Sequence, residues 1–223
     1  MIQDAPVRRI EYTDGAVMLH ADGGVAVRAR RAIVAIAPAL AGRIVYDPPL
    51  PGSRDQLTQR MPLGTVSKCM AVYDEPFWRA DGLSGQATRD TGAVRLCFDN
   101  SPPGGSPGVL LGFIEGGRAR AAGAMSPERR RAEVLDAFEA LFGPRAARPE
   151  RYIERQWAEE EYSRGCYGAY LPTGAWTAYG EALRAPVGSI HWAGTEVAEV
   201  WSGYMDGAVR SGEEAARAVL AEV

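Results

Sequence analysis

The run Ala32-Ile33-Val34-Ala35-Ile36-Ala37-Pro38 constrains this chain most. It has no polar position on either side of a pleat, so as a strand it must be buried on both faces, the condition of a strand inside a larger sheet. Such a sheet needs further strands, and few remain upstream. The residues before it read instead as short β-type runs, Val7 to Tyr12, Val17 to His20 and Val25 to Arg28, separated by Thr13-Asp14-Gly15 and Ala21-Asp22-Gly23-Gly24. Turn chemistry at these spacings predicts a β-meander abutting the larger sheet.

Pro48-Pro49-Leu50-Pro51-Gly52 is a stiff connector and the expected domain crossing. Beyond it, Thr65 to Tyr73, Ala93 to Phe98 and Val109 to Ile114 form a second β-rich region with Pro/Gly loops between them. Ser126-Pro127-Glu128 supplies an N-cap, a proline at the first helical position and a first-turn acid. Val134, Leu135, Phe138, Leu141 and Phe142 then make one apolar stripe before Gly143-Pro144, so a helix packed on a sheet is expected. After Trp157 the composition turns aromatic and glycine-rich. The chain closes with a strand at Ser189 to Ala193, a Gly194-Thr195-Glu196 turn and a helix from about Gly203, on which Gly203, Gly207, Ser211 and Ala215 form a smooth ridge. That ridge suits helix–sheet packing, with room for a ligand at the helix start.

Composition excludes more than it identifies. At 223 residues, 46% hydrophobic and 24% charged, the chain can bury a core in one domain or two interleaved ones. A net charge of -3, with arginines scattered among acids, leaves no footprint for nucleic acid. Met1 to Pro6 has no signal pattern and no apolar run reaches bilayer length, so a cytoplasmic protein without a membrane partner is expected. The three cysteines have no paired close spacing, which argues against a disulfide framework and a metal site. Lys68 is the sole lysine among 25 Lys and Arg residues. Either it is an incidental surface residue, or it marks a site that needs a compact amine able to titrate.

Three segments carry a resemblance. Met61-Pro62-Leu63-Gly64-Thr65-Val66-Ser67-Lys68-Cys69, Ser163-Arg164-Gly165-Cys166-Tyr167, and Ala193-Gly194-Thr195-Glu196 with Trp201-Ser202-Gly203-Tyr204-Met205-Asp206-Gly207 resemble the flavin monoamine oxidases in order and spacing. Ala5 to Ile10, Pro48 to Pro51, Glu75 to Trp78 and Gly112 to Ile114 extend the likeness over nearly the whole chain.

The resemblance implies a mixed α+β or α/β fold, the C-terminal part of a two-domain FAD-dependent amine oxidase. Residues 1–52 and 158–223 would be segments of the FAD-binding domain, flanking a β-rich substrate domain, with its packed helix, at 53–157. Cofactor contacts are implied for Val7, Trp157, Ser163, Gly194, Thr195, Glu196, Tyr204 and Met205. Cys166 matches the cysteine joined to the flavin by a thioether, although Arg164 stands where the family has a small residue. Tyr167 and Tyr204 match the pair flanking the amine's path, while Leu96 and Phe113 resemble residues lining the substrate cavity. Lys68 matches the lysine that holds a water beside the flavin, so the catalytic set is Lys68, Tyr167 and Tyr204. Cys69 and Cys97 read as core residues, and His20 and His191 as structural.

The implied reaction oxidises a primary or secondary amine to an imine, with FAD as cofactor and O2 as acceptor. The family's G-x-G-x-x-G strand-turn-helix does not occur in the sequence. An exposed apolar face is therefore expected, covered by an N-terminal FAD-binding partner chain or by a second copy in a homo-oligomer. Two alternatives stay open: a non-catalytic remnant or binding module, and a polyamine or amino-acid oxidase. The last needs a cation for the carboxylate, and Arg95 is the position to check, although strand alternation should point it away.

Overall fold

A computed structural model describes residues 1–223. The chain forms two compact units, Met1–Leu63 with Tyr167–Val223, and Gly64–Cys166 between them in sequence. The divisions thus lie beyond the expected 52/53 and 157/158. The stiff connector does not end a unit, because helix α2 (Gly52–Gln59), which follows it at once, packs within the outer unit.

In the outer unit, β1 (Val7–Tyr12), β2 (Val17–Ala21) and β3 (Ala26–Ala29) form the antiparallel meander. Its first turn is closed by Thr13, whose Oγ1 accepts the Gly15 and Ala16 amides at 3.3 and 3.2 Å. Ile10 and Val17, facing inward, are 1% exposed. Strand β4 covers only Ala32–Val34, α1 is the single turn Pro38–Ala41, and β5 (Val45–Asp47) adds to β1 in parallel, giving the order β3-β2-β1-β5.

Arg54 of α2 is buried, with its guanidinium 3.6 Å from the centre of the Trp192 ring. Its Nη1 donates to the carbonyls of Ala182 and Leu183, both at 2.8 Å. Burial pulls its pKa down to about 10. The stacked, hydrogen-bonded guanidinium explains how a charge is held in this core.

The inner unit is a five-stranded antiparallel sheet. Its strands are β6 (Val66–Tyr73), β7 (Ala87–Thr88), β8 (Leu96–Asp99), β9 (Gly108–Glu115) and β10 (Arg151–Gln156), in the order β10-β6-β9-β8-β7. Helix α3 (Gly116–Gly123) continues from β9, and α4 (Pro127–Phe142) begins where expected, with Ser126 Oγ accepting the Arg129 amide at 3.3 Å. The stripe of α4 closes one sheet face over Cys69, Ala71, Tyr73, Leu110 and Ile114. At Gly112 a Cβ would lie 2.9 Å from the Phe138 ring, so the ring rests on bare backbone. Cys69 and Cys97 are free thiols in this core, and burial pushes both up to about 12. A buried ion pair, Arg130 with Glu154 at 2.5 Å, ties α4 to β10, and Arg130 also donates to the Met125 carbonyl at 2.6 Å.

The last segment returns to the outer unit with α5 (Ala175–Tyr179), β11 (Ile190–Trp192) and α6 (Met205–Ala221). Strands β11 and β4 pair in parallel as a sheet of two. Ile33 is 40% exposed and Ile36 43%, so the apolar run reaches burial on one face only. Helix α6 starts at Met205 rather than Gly203, because Gly203 takes the left-handed φ of 86° in the preceding turn. The buried ridge is therefore Gly207, Ser211 and Ala215. Ser211 Oγ donates to the Gly194 carbonyl at 2.8 Å and accepts the Gly194 amide at 3.0 Å, clamping the turn after β11 to the helix. No helix is long and apolar enough to cross a membrane.

Candidate functional site

The predicted site residues fall into two clusters, one in each unit. In the inner unit, Lys68 on β6 stands opposite Phe113 on β9, which stands opposite Leu96 on β8. Directly opposed residues share a face. Alternate burial along β6 and β9 puts this row on the face away from the α4 core. Lys68 Nζ lies 5.6 Å from the centre of the Phe113 ring, and Phe98 meets that ring edge-on at 5.7 Å.

Two distant residues come to the start of the same strand. The Trp157 amide donates to the Val66 carbonyl at 3.3 Å and the Cys166 amide to the Gly64 carbonyl at 2.8 Å. Between them the 160–166 turn carries Ser163, whose amide donates to Glu160, and Arg164, held at a left-handed φ of 52°. The Cys166 thiol is partly buried. Burial raises its pKa, the Lys68 ammonium opposes that rise, and Glu115 adds to it. The net direction is upward, so Cys166 rests as a thiol rather than as a pre-formed thiolate. Arg95 is exposed and donates from Nε to the Arg89 carbonyl at 3.1 Å.

In the outer unit, Gly194 follows β11 at φ 130°, and the adjoining Thr195 donates from Oγ1 to the Tyr204 carbonyl at 2.8 Å. Glu196 Oε1 accepts the Ala169 amide at 3.0 Å, and a Cβ at Gly168 would come within 3.4 Å of the same oxygen. This carboxylate therefore anchors the segment just after Tyr167, a role the sequence did not announce. The same segment is pinned on its other side, where Leu63 and Ala169 form an isolated bridge. Tyr204 caps α6 through its backbone, and Tyr167, Tyr204 and Met205 are 57%, 64% and 88% exposed. Val7 lies elsewhere, opposite Ala21 at the start of the meander, and packs on the core beneath it.

Sequence reasoning passed over Trp201 as a functional residue. It is one of three non-glycine residues at positive φ, at 57°, and its ring meets Tyr204 edge-on with centroids 5.6 Å apart. A left-handed tryptophan leaves no local sequence signal, because the pattern rules for that conformation expect Gly, Asn or Asp.

Each cluster offers groups that a ligand could engage. The Trp157 indole Nε1 is buried with no acceptor in the chain, a donor that an external ring or carbonyl would satisfy. In the outer unit, the first-turn N–H groups of α6 follow directly on an exposed aromatic pair and would stabilise electron-rich atoms.

The comparisons agree with this chemistry. A family model described as flavin containing amine oxidoreductase matches residues 2–220. The chain is 47% identical over 209 residues to a probable flavin-containing monoamine oxidase A of Dictyostelium discoideum, covering 94% of this chain and 46% of that protein. It is 46% identical over 215 residues to an L-amino acid dehydrogenase of Synechocystis, covering 96% and 45%. A solved putrescine oxidase, redesigned in its cofactor binding, superposes with a TM-score of 0.95 at 39% identity over 99% of this chain and 49% of that one. The chain thus spans about half the length of the curated relatives it matches. With the family model matching residues 2–220 and the fold shared at that level, the chain belongs to the flavin-containing amine oxidoreductases, whose cofactor is FAD.

Proposed function

We propose that this chain forms the substrate-facing half of an FAD-dependent amine oxidase, working with an N-terminal-type half that holds the nucleotide. The observation that carries the reading is the gathering of Lys68, Trp157 and Cys166 at one end of β6, with Phe113 and Leu96 in the same cross-strand row. Residues 64–166 are assigned to the substrate domain, and residues 1–63 with 167–223 to the FAD domain.

FAD, when bound, supplies the two-electron acceptor that turns an amine into an imine, which water hydrolyses, and O2 takes the electrons on as hydrogen peroxide. The chain's own residues do the placing. Tyr167 and Tyr204 present ring faces that orient an amine by dispersion and quadrupole attraction. Leu96 and Phe113 wall the amine's apolar part. Lys68 holds a water by its ammonium and stabilises anionic oxygen species near it. Trp157 donates its indole N–H, and Gly194, Thr195, Glu196 and Met205 form the turn and helix start on the cofactor side, with Val7 and Ser163 as outlying contacts. Cys166 is the candidate thioether attachment.

An amino-acid substrate is the second reading, favoured by the likeness to an L-amino acid dehydrogenase. It requires a cation for the carboxylate, and Arg95 is already engaged with the Arg89 carbonyl. A simple amine is the better fit.

The test is to express the chain with an N-terminal half of the family and add a monoamine, putrescine or an L-amino acid without oxygen. Bleaching of the visible flavin band by an amine is expected, with flavin remaining in the acid-precipitated pellet and moving to the supernatant in Cys166→Ala. Retained flavin that no amine bleaches would sink the catalytic reading in favour of a binding module.

A further inference from the structure

The most unusual backbone in the outer unit sits beside its most exposed tyrosine. Trp201 holds φ at 57°, a conformation disfavoured for a bulky side chain, while its ring stays 58% exposed. Nothing about core packing calls for that arrangement, and strain of this kind persists only where the surroundings impose it. Here they do. The Trp201 carbonyl accepts the Tyr204 amide at 3.1 Å, closing a turn whose third residue, Gly203, is itself left-handed. The same carbonyl presses on the bare Cα of Gly207, where a Cβ would lie 2.2 Å away. On the far side, Thr195 Oγ1 fixes the Tyr204 carbonyl at 2.8 Å. The Tyr204 backbone is therefore held at both its amide and its carbonyl. What remains free is the ring, and the Trp201 ring meets it at an interplanar angle of 84°.

We propose that Trp201 is a positioning residue that sets the angle of the Tyr204 ring and, through it, the breadth of amine the site admits. The strained turn aims the indole at Tyr204 and keeps it there. The proposal rests on the amine-oxidation reading for its consequence, while its structural part stands on the chain alone.

The experiment compares Trp201→Leu, Trp201→Gly and Trp201→Phe in the full chain carrying ring-labelled tyrosine, with Tyr204→Phe identifying the Tyr204 signal by NMR. The Tyr204 ring resonances are expected to move in the Leu and Gly variants and to stay near wild type in Phe. Because glycine takes positive φ freely, Trp201→Gly is expected to keep or raise the Tm. In the flavin-loaded protein completed by its N-terminal half, Trp201→Leu should raise KM for a bulky aralkylamine about tenfold, as when a contact shared by the bound amine and its transition state is lost. Flavin content and kcat should change little, and Phe should restore KM.

An unmoved Tyr204 signal in Trp201→Leu overturns the proposal whatever turnover does. So does a moved signal with an unchanged KM, or a Tm in Trp201→Gly that drops as packing loss would require. A wild-type protein that oxidises no amine removes the amine-oxidation reading, and the Tyr204 signal still decides whether Trp201 holds that ring.

Discussion

The two compact units differ in where they leave their large apolar side chains. In the inner unit, Tyr73, Phe77, Trp78 and Phe142 form an aromatic cluster with centroid spacings of 5.2 to 6.2 Å, and the exposed large apolar residues are Leu83 and Tyr162. The outer unit exposes Ile33, Ile36, Val45, Trp176, Val200, Met205 and Val209 besides the tyrosines and Trp201. Its strand β4 has one in-chain neighbour, although parallel strands are ordinarily covered on both faces. The inner unit closes its own core, whereas the outer unit leaves several large apolar side chains at its surface.

Within the inner unit the largest effect is expected at Trp78. Its side chain is fully buried and its Nε1 donates to Asp99 at 3.0 Å. Trp78→Ala should cost about 3–5 kcal/mol, the range for a buried aromatic truncated to alanine. Urea unfolding should show the inner-unit transition move while the outer unit's stays; movement of both together would mean the units are not independently stable.

Asp99 gives a pH-dependent version of the same test. Burial pushes its carboxyl up, but donors from Arg79, Ser101 and Trp78 outweigh that and hold it at about 2, against an ordinary value of 3.8. A depressed folded pKa means the unfolded state binds the proton more readily, so this stabilisation is present above about pH 4 and is lost as pH falls towards 2. Asp99→Asn should cost about 1.5–3 kcal/mol at neutral pH, the range for hydrogen bonds to a charged group. It should also flatten the acid limb of the stability curve, and an unchanged limb would assign that limb to other carboxylates.

The smallest effect is expected in the outer unit. Ile33→Ser should alter the stability of the chain alone by no more than about 0.5 kcal/mol, as for an exposed position. Flavin retained in the presence of an N-terminal half should nevertheless fall. A large loss of stability in the chain alone would show that Ile33 is already buried within it.

Elements with local causes are legible in the sequence. The meander follows from Thr13-Asp14-Gly15 and the alternation around it, and the start of α4 from Ser126-Pro127, because turns and caps are made by neighbours in the chain. Order and spacing single out the motif segments that contain Lys68, Cys166 and Tyr204. Other elements were obscured by composition: α3 opens on Gly116-Gly117, and β10 carries Arg151, Glu154 and Arg155 among few apolar residues. Three features emerge only in the folded chain: Arg54 buried on Trp192, the Glu196 carboxylate anchoring the Ala169 amide, and Trp201 held left-handed against Gly207. Those three depend on groups brought together from distant parts of the chain or pressed together by a turn against a helix, and contacts of that kind override the preferences local sequence can express.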